Sequence, residues 1–109
     1  MAHSLNTIRK RSTFIMMIKK GSVKQGKTFN VQILEDQNLN NSIHIGFTAT
    51  KKIGPAIKRN KAKRIMRELA RKVIAKYGKI NSYYVLIAKP PIFEISYYAQ
   101  EIELKELIS

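Results

Sequence analysis

Between Lys51 and Lys76 the chain carries eleven Lys or Arg residues and a single acid, Glu68. Within that run Asn60, Arg64, Arg67 and Arg71 are spaced by four, three and four residues, the interval that stacks side chains in one stripe along a helix. Lys61 and Lys63 flank the stripe, and Lys51, Lys52, Lys58 and Arg59 lead into it. Cations at this density neutralise phosphates and release condensed counterions, so their natural partner is a nucleic-acid backbone. A merely solvated helix face interleaves acids and bases through i,i+4 pairs, which this segment almost lacks. Side-chain catalysis has far less to draw on. The two histidines, His3 and His44, are far apart in sequence, cysteine is absent, and no group of residues has the spacing of a metal site or a nucleophilic triad. No catalytic and no metal-ligating residue is assigned.

The composition agrees with the stripe. Twenty-one Lys plus Arg against seven Asp plus Glu leave +14 on 109 residues, a charge that repels itself unless something anionic offsets it. With 44% apolar residues the chain can bury one modest core, and no repeat, low-complexity tract or linker interrupts it, so one domain over 1–109 is expected. No apolar run approaches the roughly 20 residues that span a bilayer. The opening Met1-Ala2-His3-Ser4-Leu5 lacks the apolar stretch of a secretory signal, and cysteine is absent; a cytoplasmic location is expected.

The stripe requires a helix, and the pattern from Pro55 to Tyr77 supplies one. At about 100° per residue, Ala62, Ile65, Met66, Leu69, Ala70, Val73 and Tyr77 share the arc opposite the cations. Pro55 suits the first turn and Gly78 the stop. Period-two alternation marks strands over Thr28 to Leu34 and Ile43 to Thr50, separated by the polar loop Glu35 to Ser42, with a weaker strand signal around Val23 to Lys27. The continuous apolar run Tyr83 to Ala88 reads as a central strand buried on both faces, in which Tyr83 and Tyr84 pack. An opening helix with Ser12 and Thr13 as caps closes near Gly21, and Ser96 caps a terminal helix reaching Ile108. Glu101, Glu103 and Glu106 read as its solvated face, and His44 as a surface residue. The order predicts an α+β fold: three helices against one mixed sheet of about four strands.

The segment Gly46-Phe47-Thr48-Ala49-Thr50-Lys51-Lys52-Ile53-Gly54-Pro55-Ala56-Ile57-Lys58-Arg59-Asn60-Lys61-Ala62-Lys63-Arg64, continued by Ile65-Met66-Arg67-Glu68, resembles the signature of the bacterial ribonuclease P protein subunit family. Weaker likeness extends through Lys19-Lys20-Gly21 and Ile87-Ala88-Lys89-Pro90. The resemblance implies a two-layer α/β sandwich with a left-handed βαβ crossover whose helix bears the basic motif. It implies that Lys51, Lys52, Lys58, Arg59, Asn60, Lys61, Lys63, Arg64, Arg67 and Arg71 face a catalytic RNA subunit. It also implies a cleft for the single-stranded 5′ leader of precursor tRNA, containing Phe14, Met17, Ile18, Asn30 and Gln32; from periodicity alone, Phe14 and Met17 read as core. The implied activity is endonucleolytic removal of the leader, with the active site in the RNA and Mg²⁺ used there rather than at a protein site. The chain would be monomeric apart from its RNA, with no membrane partner. Lys61 stands where the family usually has Arg, keeping charge without the planar fork, and Ile18 and Gln32 stand where aromatic residues are common.

Two other classes fit parts of the pattern. A ribosomal or chromosomal protein could use the same basic surface without catalytic association. A stand-alone nuclease would need a carboxylate cluster or histidine pair that the sequence lacks.

Overall fold

Alternating apolar residues give the sheet two different faces, and each face recruits its own helices. The computed structural model describes residues 4–109; His3 lies outside them. Five strands, β1 (Leu5–Thr7), β2 (Ser22–Gln25), β3 (Phe29–Glu35), β4 (Ile43–Thr48) and β5 (Ser82–Ala88), form one mixed sheet in the order β1-β4-β5-β3-β2. β5 is parallel to β4 and antiparallel to β3, and β1 joins β4 in parallel. The apolar run therefore occupies the middle of the sheet, as expected. The sheet has one strand more than the alternation pattern indicates, because β1 is three residues with no alternation to read.

Phe29 and Val31, Ile43 and Ile45, and Tyr84, Leu86 and Ala88 point to one face and are buried there. Helix α2 (Ala56–Leu69) covers them with Ala62, Met66 and Leu69, and helix α4 (Tyr97–Ile108) adds Leu104 and Ile108. Each fully buried large side chain contributes about 1.5–3 kcal/mol, so this interface carries most of the stability. These are the two layers the resemblance implies, with α2 as the crossover between the parallel strands β4 and β5. The opposite face receives only helix α1 (Arg11–Lys20), whose Met17 is fully buried against Ile8 and Val85. Gly46 makes that approach possible: a Cβ there would stand 2.7 Å from Cε1 of Phe14.

α2 does not end at Leu69. It loosens into a π-helical turn, Ala70–Ile74, and closes with the short helix α3 (Ala75–Tyr77). Fewer degrees per residue keep Ala70, Val73 and Ile74 all turned inward. Tyr77, expected in the core, instead lies on the rim beside α4 at 45% exposure. The Ser96 cap is present, its hydroxyl accepting from the Ala99 N–H at 3.2 Å. Ser12 and Thr13 are no caps: α1 starts after Lys10 with no side-chain capping bond. Among the described residues no helix is long and apolar enough to cross a membrane.

Candidate nucleic-acid interface

The crossover helix brings Asn60, Lys61, Arg64, Arg67 and Arg71 to its outer side, all exposed, while Ala62, Met66 and Leu69 are buried beneath. Two contacts hold the cations in place without neutralising them. The Arg67 guanidinium lies 5.8 Å from the Phe47 ring centroid, and Lys61 Nζ lies 5.7 Å from that of Phe93. Arg59, half-buried, donates from Nη1 to the Gly54 carbonyl at 3.3 Å, which ties the start of the ridge to the preceding turn. Gly54 itself has φ +134°, a conformation that glycine adopts at little cost and side-chain-bearing residues only under strain. Lys58 is exposed and Lys63 half-buried on the flanks.

Among the described residues there is one ion pair, Lys72 to Glu101 at 2.9 Å. The bond to Glu101, with its charge, raises the Lys72 pKa above the ordinary lysine range. The π-helical turn thus marks where the ridge ends: Arg71 still faces outward, and Lys72 is turned to the acid on α4. From Lys51 to Arg71 no cation is engaged by a carboxylate among the described residues.

A groove lies on the other face of the sheet, between α1 and strands β3, β4 and β5. Phe14, Ile15 and Ile18 form one wall, and Gln32, Thr48 and Ile87 form the floor. Ile87 continues into a second depression with Asn30, Thr50, Lys51, Lys52 and Lys89. The turn Lys51–Ile53 therefore joins groove to ridge, and its two lysines border both. Of the five residues expected in a cleft, Phe14, Ile18 and Gln32 line the groove and Asn30 its extension. Met17 does not: with no exposed surface it supports α1 from beneath, since it points straight at Val85. Ile15, Arg11, Thr48, Ile87 and Lys89 are lining residues that sequence reasoning passed over. Thr48 and Ile87 could have been found by extending the strand alternation from Gly46 and Val85.

The terminal acids are not simply a solvated face. Glu103 accepts from the Thr28 N–H at 3.0 Å and from its hydroxyl at 2.8 Å, clasping α4 to the start of β3. Among the described residues no group of three or more His, Asp or Glu residues could hold a metal ion.

The α+β sheet thus carries a charged crossover helix on one side and a groove on the other, two surfaces that share no side of the sheet. The chain belongs to the ribonuclease P protein family, whose sequence pattern, described as Ribonuclease P, it matches over residues 3–109. A ribonuclease P protein component from Alkaliphilus metalliredigens is 35% identical over 107 residues, covering 96% of this chain and 92% of the relative. The one from Caulobacter vibrioides is 39% identical over 82 residues, covering 75% of this chain and 54% of the relative, so the chain spans about half the length of that protein. Among solved structures, the RNase P protein of Staphylococcus aureus superposes with a TM-score of 0.76 at 25% identity, covering 93% of this chain and 90% of that one. That of Thermotoga maritima shares the fold at 0.80 and 23% identity, covering 94% of each chain.

Proposed function

We propose that this chain is the protein subunit of a ribonuclease P holoenzyme, binding the catalytic RNA through the ridge and the 5′ leader of precursor tRNA through the groove. The observation that carries the reading is the run of cations from Lys51 to Arg71 with no carboxylate partner among the described residues. Such a surface screens phosphate repulsion when two RNA molecules are brought together. The groove sets polar Asn30 and Gln32 beside apolar Ile18 and Ile87, a mixed lining that suits exposed bases of an unpaired chain better than a duplex. Cleavage of the phosphodiester and the Mg²⁺ it uses are assigned to the RNA, as the family likeness implies. The protein acts in the cytoplasm as a single copy on its RNA.

The test is reconstitution with the candidate RNA subunit and cleavage of a precursor tRNA at low Mg²⁺. Rescue of cleavage supports the proposal. Binding without rescue points instead to a ribosomal or other structural role. Arg64→Ala is expected to weaken RNA-subunit binding, and Phe14→Ala to reduce the preference for leader-bearing substrate, with both variants melting close to the parent. If both act only through lost folding, the two-surface reading fails.

A further inference from the structure

Phe14 divides the α1 face of the sheet. Its ring rests over Gly46, halfway along β4, and the groove described above lies toward Thr48 and Ile87. On the other side of Phe14, toward His44 and Tyr83, is a separate depression walled by Arg9, Lys10 and Thr13. His44 and Thr48 are four positions apart along β4, about 13 Å. The two hollows share no lining residue.

This second hollow has an aromatic floor. The rings of His44 and Tyr83 are 5.5 Å apart and tilted by 52°, too close for a third ring between them, so a planar ligand would lie on their outer side. The imidazole is fixed in place: Ser42 Oγ donates to the Leu39 carbonyl and so accepts from His44 Nε2 at 3.0 Å. Burial, and then the charge of Asp36, push the Tyr83 pKa up, so its ring stays a neutral phenol. Arg9 and Lys10, both exposed, come from the short link between β1 and α1 and rim the same hollow with two positive charges.

We infer that this hollow binds one unpaired nucleotide, its base stacked on one ring of the tilted His44–Tyr83 pair and edge-on to the other, and its phosphate held by Arg9 and Lys10. Base stacking on aromatic side chains beside cations is how proteins hold single-stranded nucleic acid without reading its sequence. The site is independent of the ridge and of the leader groove, and it can fail while both of those stand.

The test is an NMR titration of the full chain with adenosine 5′-monophosphate, and with ribose 5-phosphate as the baseless probe. The expected result is saturable upfield movement of the His44 and Tyr83 ring protons with the nucleotide and little with the sugar phosphate. His44→Ala abolishes the Tyr83 shift. Arg9→Gln combined with Lys10→Gln, which alters only exposed side chains, raises the apparent dissociation constant roughly threefold, the scale of exposed charge contacts. Equal shifts from ribose 5-phosphate would reduce the hollow to an anion site and overturn the proposal. So would nucleotide-induced shifts confined to the groove or to residues of α2, or an unchanged affinity in the Arg9/Lys10 variant.

Discussion

Lys105 holds its ammonium 4.3 Å from the centre of the Tyr77 ring, and Lys76 adds a second at 5.4 Å. Both favour the phenolate, Lys105 more than Lys76, so Tyr77 titrates below the ordinary tyrosine range. Tyr83 and Tyr97 move the other way, chiefly through burial. A depressed acid stabilises the fold above its unfolded pKa, and that contribution is lost as pH falls through the folded value. Lys105→Met should therefore bring the Tyr77 titration up toward the ordinary value and leave Tyr83 where it is; site-resolved ¹³C NMR of the tyrosines measures both. Glu103 offers a second residue to test. Replacing it with alanine leaves the N–H and hydroxyl of Thr28, itself fully buried, without their acceptor. The expected cost is about 2 kcal/mol in urea denaturation, and less for Glu103→Gln, which retains an acceptor.

Helix α1 is the element most dependent on one small residue. A methyl group at Gly46 would meet Cε1 and Cζ of Phe14 at 2.7 and 2.8 Å. Gly46→Ala should lift the ring and reshape the groove at a cost of about 1 kcal/mol, because the far end of a side chain can swing aside. Leader-bearing substrate should then lose more affinity than leaderless substrate in a direct binding comparison. The basic crossover helix was legible in the sequence as far as Leu69, since charge and the 3.6-residue period are local properties. The three clear strands and the Ser96 cap were legible for the same reason. β1 was not: three residues carry no pattern, and the strand exists only through its pairing with Ile43, His44 and Ile45 of β4. The π-helical turn at Ala70 was hidden too, because it answers to packing rather than to composition. Phe14, Met17 and Ile18 share a helix face by spacing, yet one is half-buried, one buried and one 70% exposed, a difference set by where the sheet lies beneath them. Glu103 looked solvated because its partner, Thr28, is 75 residues away.

A charge of +14 with one ion pair among the described residues leaves self-repulsion that a bound anion would offset. Sulfate or phosphate, binding the native ridge better than the unfolded chain, should raise the melting temperature by mass action, well beyond the effect of chloride at equal ionic strength. Removing ridge arginines should blunt that rise. The same charges fix how RNA affinity responds to salt, since each phosphate neutralised adds about 0.7–0.9 to the slope of log K against log salt. The most direct measurement is that slope for the candidate RNA subunit, compared between the parent chain and Arg64→Gln, Arg67→Gln, Arg71→Gln combined. The ridge account requires the slope to shrink by about 2 to 3 while the fold, followed by circular dichroism, stays intact. An unchanged slope in a folded triple variant would place the RNA contact somewhere other than the face from Asn60 to Arg71.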